Sequence, residues 1–200
     1  LNDDIITQSQ ANLIERFKKE YVDNGNIKKV EEFKQGTLDA IIYYKDSNED
    51  ETRVIKDLVS SAPSTFFSII EKKVLPSNLI VSNSKNYKPD GSVIVQYRSL
   101  YNSDNTLLCT QPIDYVTGLP VIALTEKFYY NDSIIEVFPA FVADYNADGT
   151  LNYIEYNPHH EYDSESFSLA NITELRDMLG FTQAEMDYYL TADFMPQDLE

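Results

Sequence analysis

The chain contains few residues of several types, and each shortage excludes particular kinds of functional site. Its 200 residues contain no Trp, one Cys, two His and six Gly. A single cysteine, Cys109, allows no disulfide within the chain. Its apolar neighbours Leu107 and Leu108 predict a buried, unreactive thiol. The glycine-rich phosphate-binding sequences Gly-x-Gly-x-x-Gly and the P-loop do not occur, so those nucleotide sites are excluded.

Basic residues are also scarce. Sixteen Lys and Arg stand against 33 Asp and Glu, which gives a formal net charge of -17. Such a surface repels nucleic-acid phosphates and anionic membranes, because binding them requires neutralisation by Lys or Arg. It attracts cations and basic partners, although the same charge is typical of a surface that is merely soluble. The predicted partner is therefore a protein or small-molecule ligand of basic character, and nucleic acid is excluded.

Long apolar runs are missing as well. No run reaches the ~18 residues that a membrane-spanning helix needs, so no transmembrane segment is predicted. Hydrophobic residues nevertheless make up 42% of the chain and charged residues 24%, which is the composition of a packed globular protein. The aromatics comprise 15 Tyr and 10 Phe, and tyrosine suits strand faces on which the ring packs and the hydroxyl stays wet.

The first half of the chain predicts two helices around a hairpin. Thr7 and Gln10 form a capping box, and apolar residues at helical spacing then extend the first helix to Tyr21. The segment 27–44 has the pattern of a β-hairpin that turns at Gln35-Gly36. A polar, acidic loop at 46–51 precedes a second helix, which follows Pro63, carries Phe66 to Leu75 and is expected to be well buried.

Beyond residue 78 the pattern changes to strands. Turn signals at intervals of 8–15 residues, up to a last strand at 151–156, predict an antiparallel meander that includes a strand at 121–124. Two capping boxes, Asn171/Glu174 and Thr182/Glu185, then predict a C-terminal helical pair. The expected fold is α+β: one domain over 1–200, with an N-terminal helix, one buried helix, the sheet and the helical pair. A weak subdivision is expected near residue 77.

Residues 144–155 carry the clearest chemical signal. Oxygen-bearing side chains occupy loop positions 1, 3, 5, 9 and 12, with Gly149 at position 6, and this is the ligand order of an EF-hand calcium loop. The predicted calcium ligands are Asp144, Asn146, Asp148, the Thr150 carbonyl, Asn152 through a water, and Glu155.

The same letters also predict a β-hairpin, and the flanks favour it. Pro139 interrupts the helix that should enter an EF-hand, and Pro158 interrupts the helix that should leave it. Apolar residues alternate on both sides of the turn Asn146-Ala147-Asp148-Gly149. A plain hairpin, a hairpin that also binds calcium weakly, and an EF-hand-like loop all remain open. Calcium is the only cofactor that the sequence suggests.

Enzyme chemistry has little support in the sequence. His159 and His160 are adjacent, so they seldom chelate one metal on a regular element, and an exposed polar loop is favoured there. No Gly-x-Ser-x-Gly elbow surrounds any serine. A hydrolase that uses acidic residues with His159 or His160 remains an alternative, and an acidic inhibitor or immunity-type protein is another.

The Tyr/Asn/Asp-rich hairpin at 145–153, the acidic balance and the absence of an initial Met resemble exported proteins and lipoproteins of Bacteroides-type gut bacteria. The resemblance implies a secreted, periplasmic or other cell-envelope location, with a cytoplasmic location as the alternative, and suggests that a leading segment was removed. The expected function is non-enzymatic: binding of a ligand or protein through a Tyr-rich sheet that includes Tyr43, Tyr44, Tyr97, Tyr129 and Tyr130.

Overall fold

Strands dominate the computed structural model, which describes residues 15–130, 138–157 and 164–196. Within these residues the strands are β1 (Arg16–Asp23), β2 (Asn26–Lys34), β3 (Thr37–Tyr44), β4 (Phe66–Val74), β5 (Ile80–Tyr87), β6 (Val93–Tyr101), β7 (Leu107–Ile113), β8 (Glu126–Tyr129), β9 (Phe141–Tyr145), β10 (Leu151–Tyr156) and β11 (Glu165–Phe167). The helices are α1 (Glu51–Ser61), α2 (Ile172–Leu179) and α3 (Gln183–Leu190), with a 3-10 turn at Ile122–Leu124.

The described strands form a mostly antiparallel sheet and follow chain order across it. The predicted α+β class is thus confirmed in its coarse form, with strands more prominent than expected. Contacts divide the chain into two compact units. Unit 1 comprises residues 1–72 with 83–96, and unit 2 comprises residues 73–82 with 97–200.

Unit 1 begins with a strand where a helix was predicted. Phe17 and Tyr21 lie on β1, which pairs antiparallel with β2, so the predicted helix is wrong from residue 16 onward. A spacing of four residues places two side chains on one face of a helix and equally on one face of a strand. Cross-strand contacts favour the strand, because Phe17 stacks on Phe33 with ring centroids 4.7 Å apart. Thr7 and Gln10 lie outside the described residues.

The predicted hairpin over 27–44 is confirmed. β2 pairs antiparallel with β3, and the chain turns at Gln35 and Gly36 with φ of 50° and 75°. Both angles lie in the left-handed region that a two-residue hairpin turn requires. Asn24 and Gly25 have φ of 49° and 82° and form the tight turn from β1 to β2.

The only helix described in unit 1 is α1, which begins at the end of the predicted acidic loop at 46–51. α1 begins after Asp50, whose side chain accepts a hydrogen bond from the Thr52 N–H, and it buries Val54 and Leu58. The expected buried helix over Phe66 to Leu75 is instead β4, which pairs parallel with β3. Its burial alternates as in a strand, with Phe67 and Ile69 inside, because an aromatic and β-branched run packs well on a pleated surface. The meander is therefore interrupted by one β3–α1–β4 crossover.

Unit 2 is an antiparallel sheet with the helical pair packed on one face. β7, β8, β9, β10 and β11 pair in that order, all antiparallel. The core residues of this face are buried side chains from the strands, the helical pair and the segment that follows it: Phe141, Ala143, Tyr145, Leu151, Ile154, Phe167, Leu175, Met186, Tyr189 and Ala192. A smaller cluster joins Leu100, Cys109 and Phe194.

The predicted helical pair is confirmed in position. Gly180 ends α2 with φ of 70°, and Thr182 with Glu185 forms the expected reciprocal capping box of α3. Asn171 makes no cap hydrogen bond to α2; its side chain instead accepts from the Ser168 N–H at 2.8 Å. The strand predicted at 121–124 is wrong, since Ile122–Leu124 forms a 3-10 turn.

Candidate functional site

The calcium-like segment folds as a β-hairpin. β9 and β10 flank the turn, in which the Asn146 N–H donates to the Thr150 carbonyl at 2.9 Å and the Gly149 N–H donates to the Asn146 carbonyl at 3.0 Å. Gly149 has φ of 86°, which explains the glycine at this position. The hairpin interpretation is therefore confirmed, and helices do not flank this loop among the described residues.

The hairpin separates the six predicted calcium ligands into two groups. At the turn, Asp148 Oδ1 accepts from the Thr150 N–H at 3.0 Å and from its hydroxyl at 2.7 Å. Asn146 Nδ2 donates to Thr150 Oγ1 at 3.1 Å, and Asn152 is exposed on β10. No three His, Cys, Asp or Glu side chains are grouped for metal binding within the described part of the chain. The calcium site stays a prediction.

The other two ligands, Asp144 and Glu155, lie on one face of the sheet. Asp144 is the cross-strand partner of Tyr153, and Glu155 is the partner of Val142. Since paired residues and residues two apart share a face, all four side chains point the same way. This face is opposite the one covered by α2 and α3, because the alternate residues Ala143 and Ile154 belong to the core.

A third carboxylate joins this face from β8. Glu126 is the direct cross-strand partner of Asp144, and Thr110 of β7 is the next residue in the same row. Glu126, Asp144, Tyr153 and Glu155 are called the carboxylate face below. The sequence prediction did not include Glu126 and Tyr153. Alternation of apolar and polar residues predicts which face of a strand is buried, but it does not predict which residues of neighbouring strands pair.

Like charges and partial burial perturb the carboxylate face. Burial, with a smaller contribution from Asp144, raises the pKa of Glu126. Burial also raises the pKa of Asp144, as does Glu155, while a hydrogen bond with Tyr153 opposes the shift. The charge of Asp144, together with that hydrogen bond, raises the pKa of the Tyr153 phenol. Two adjacent carboxylates held in this way favour a cation between them.

The chain places few bases near these acids. Residues 97–200 hold 18 of the 33 acids but three of the 16 bases. Lys127 is fully buried, and the Arg98 guanidinium lies over the Phe194 ring at 4.3 Å. Arg176 pairs with its neighbour Asp177 at 2.7 Å. The second half of the chain therefore carries a concentrated negative charge with little internal neutralisation.

Lys127 occupies the buried side of β8. Its ammonium group donates to the Tyr188 carbonyl and, at 2.8 Å, to the Thr191 carbonyl. The Tyr188 ring lies 3.6 Å from Nζ. These carbonyls stand at the C-terminal end of α3, where the helix dipole favours a cation. The side chain thus fastens the last helix to the sheet and does not neutralise the carboxylate face.

The predicted tyrosines are neither fully exposed nor fully buried. Tyr43 donates to Glu49 at 2.8 Å, and Tyr129 stacks on Phe141 with ring centroids 5.1 Å apart. Lys72 lies 5.9 Å from the Tyr44 ring centroid. Tyr43 and Tyr129 therefore stabilise the two units, while Tyr153 is the tyrosine that contributes to the carboxylate face.

The cysteine and the two histidines are the remaining candidate reactive groups. Cys109 is fully buried, and burial raises the pKa of its thiol to about 11, against smaller opposing effects of Lys127 and Arg98. The thiol is therefore protonated and unreactive near neutral pH. His159 and His160 lie outside the described residues. No helix in the described ranges combines the length and apolar character needed to cross a membrane.

Comparison of the chain with protein-family models, with curated protein sequences and with solved structures finds no match.

Proposed function

We propose that the protein is a non-enzymatic, acidic binding protein of the cell envelope or extracellular space, and that its carboxylate face binds a basic polypeptide. The observation that carries the proposal is the direct pairing of Glu126 with Asp144, beside Tyr153 and Glu155, on the face of the unit 2 sheet opposite α2 and α3. Lysine or arginine side chains of a partner supply the cations that this arrangement lacks.

Electrostatic cost supports this assignment. Like charges placed directly opposite each other on a sheet are destabilising by up to about 1 kcal/mol. Burial and the charge of Asp144 raise the pKa of Glu126, and burial and the charge of Glu155 raise the pKa of Asp144. A cationic side chain that docks between them relieves the repulsion, so binding regains free energy that the isolated fold loses.

Tyrosine gives the face a second recognition element. Tyr153 is 37% exposed, and its hydroxyl is oriented by Asp144. A tyrosine ring beside carboxylates offers a lysine or arginine both a π face and an anionic partner. The proposed Tyr-rich binding sheet therefore has Tyr153 as its recognition residue in place of Tyr43 and Tyr129.

Calorimetric titration with an oligolysine peptide tests the proposal, with an oligoglutamate peptide as the charge-reversed comparison. The double substitution Glu126→Gln with Asp144→Asn is expected to weaken oligolysine binding at least about tenfold. The matched control is Asp104→Asn with Glu174→Gln, which removes two exposed acids of unit 2 and the same total charge. Equal weakening by both doubles would show that net charge alone governs binding and would refute the assigned face.

The hydrolase alternative depends on His159 and His160, which the described residues do not include. A weak calcium site remains a second proposal for the same hairpin, because Asp144 and Glu155 share one face of the sheet and the charge of Glu155 raises the pKa of Asp144. Hard oxygen ligands of this kind are what calcium prefers.

A further inference from the structure

The loop between β7 and β8 exposes an unusual amount of apolar surface. Its side chains are open to solvent at Tyr115 (59% exposed), Val116 (79%), Leu119 (64%) and Leu124 (59%). Residues 114–124 are called the apolar loop below. Single exposed apolar residues are normal, but several large ones on one short loop typically mark an interaction site.

Hydrogen bonds that involve the side chain and the backbone of Asp114 close the turn at the start of the apolar loop. Asp114 Oδ1 accepts from the Val116 N–H at 2.8 Å and from the Thr117 N–H at 3.0 Å. The Gly118 N–H donates to the Asp114 carbonyl at 2.7 Å, and the Asp114 N–H donates to the Leu119 carbonyl at 2.9 Å. Gly118 has φ of 72°, which such a closed turn needs. The exposed side chains are therefore presented on a fixed backbone.

A fixed loop gives binding an entropic advantage. A mobile apolar loop loses conformational freedom when a partner orders it, and this loss subtracts from affinity. In the apolar loop, the hydrogen bonds to Asp114 order the turn when the protein folds. Binding therefore loses less conformational entropy at this turn. Hydrogen bonds to the Thr117 and Val116 N–H groups lower the pKa of Asp114, so its carboxylate stays charged and keeps this role at neutral pH.

Charge identifies the kind of partner. Between Arg98 and Arg176 the sequence contains one base, the fully buried Lys127. Asp114 opens the apolar loop, and Glu126 of the carboxylate face follows two residues after Leu124. An anionic bilayer is repelled by such surroundings, and so is the corresponding region of a second copy. A polypeptide that combines apolar and basic side chains is complementary to both features.

We propose that the apolar loop is the hydrophobic anchor of a docking surface for a basic amphipathic segment of a partner protein. Leucine-type side chains of that segment cover Val116 and Leu119, and its lysines or arginines meet the neighbouring carboxylates. The charge of the partner rests on the proposed function, whereas the apolar contact does not. Central apolar anchors with a polar surround are the usual energetic arrangement of protein interfaces.

The probe is a synthetic amphipathic helix with leucine on one face and lysine on the other, titrated calorimetrically. Val116→Ser with Leu119→Ser is expected to weaken its binding at least about tenfold. The matched control, Leu169→Ser with Met178→Ser, removes two other exposed apolar side chains of unit 2, which are 54% and 51% exposed. It is expected to leave the affinity unchanged. Circular dichroism and melting temperature establish that each variant is folded.

The outcomes separate this inference from the proposed function. Loss of binding in Glu126→Gln/Asp144→Asn but not in Val116→Ser/Leu119→Ser would retain the acidic face and overturn the anchor. The opposite pattern would retain the anchor and overturn the acidic face. Binding of oligolysine without binding of the amphipathic helix would also overturn the anchor. So would loop-dependent flotation with phosphatidylcholine vesicles, or loop-dependent dimerisation in sedimentation velocity, without binding of the helix.

Discussion

Cys109 and Lys127 are direct cross-strand partners on β7 and β8, and both side chains are 0% exposed. Lys127 is surrounded by carbonyl groups and the tyrosine rings of Tyr145 and Tyr188. Burial lowers the pKa of Lys127 to about 7, while Cys109 and the nearby charge of Asp193 oppose the shift. A lysine of this kind couples protonation to the stability of the fold.

We predict that unit 2 becomes more stable as the pH rises from about 7 to 9. The pKa of Lys127 is about 7 in the folded protein and near its ordinary value of about 10.4 when unfolded. The unfolded state binds more protons between these values, so the free energy of unfolding increases with pH there. For Lys127 alone, the increase between pH 7 and 9 is on the order of 2 kcal/mol.

Urea denaturation at a series of pH values measures this effect. In Lys127→Met the rise between pH 7 and 9 is expected to disappear, because no group is left at this position to titrate. Measurements stop at pH 9, since the Cys109 thiol, with a pKa of about 11 in the fold and about 8.5 when unfolded, adds an opposite slope from about pH 8.5 upward. A rise of equal size in Lys127→Met would exclude Lys127 as its source.

The carboxylate face predicts a stabilising substitution. Glu126 and Asp144 repel each other across β8 and β9, so Asp144→Asn is expected to raise the free energy of unfolding at pH 7 by about 0.5 kcal/mol. Both pKa values are raised in the folded state, and the folded protein therefore binds more protons than the unfolded chain above the ordinary carboxyl pKa. Their contribution to stability falls as the pH rises through that window.

Chemical denaturation of Asp144→Asn and of Asp104→Asn at pH 7 compares the face with an exposed turn acid. Stabilisation by the first and not the second supports local repulsion. A destabilised Asp144→Asn would mean that the hydrogen bond with Tyr153 outweighs the repulsion from Glu126 and Glu155.

Calcium titration distinguishes two locations in the hairpin. If the turn is the site, Asp148→Ala should abolish the heat of binding at millimolar calcium, as an EF-hand-like loop requires. If calcium gathers at the carboxylate face, Glu126→Gln should reduce the heat and Asp148→Ala should not. The absence of heat in the unsubstituted protein at millimolar calcium would remove calcium from the functional assignment.

Gly91 predicts a packing defect on substitution. A Cβ atom at this position would lie 3.0 Å from Ile55 Cγ2 and 3.3 Å from Val59 Cγ2 of α1, and Gly91 has φ of 84°. We expect Gly91→Ala to destabilise unit 1 by about 2 kcal/mol or more, from backbone strain together with the displaced helix side chains.

Gly25→Ala is the matched control, because Gly25 has φ of 82° and open space around the added carbon. It should cost about 1 kcal/mol from strain alone. Urea denaturation of both variants gives the difference, which isolates the steric contact with α1. Equal losses would show that this contact is absorbed by small movements of the helix.

The sequence alone predicted the features that depend on local conformation. Gly36 and Gly149 favour their turns because positive φ is accessible to few residues. Thr182 with Glu185 determines the start of α3 through hydrogen bonds between residues three apart. The confirmed hairpins and the C-terminal helical pair are all of this kind. The acidic charge that motivates a basic partner is likewise a property of composition.

The spacing of apolar residues did not predict the correct element where a helix and a strand fit the same spacing. Phe17 and Tyr21 are four residues apart, which fits one face of a helix and one face of a strand equally. Cross-strand stacking on Phe33, a residue far along the chain, selected the strand. In the same way the run from Phe66 became β4 because β3 was available to pair with it, and α1 took the crossover between them.

The sites were decided by tertiary structure. The letters of 144–155 suggested one calcium loop, whereas the hairpin register places Asp144 beside Glu126, a residue outside the motif. Lys127 is one of the few bases in this half of the chain, but its side chain points inward to carbonyls at the end of α3. It therefore does not neutralise the acidic surface. Composition and turn chemistry are local and could be read along the chain; the neighbours of a side chain across a sheet follow from strand register, which only the folded chain defines.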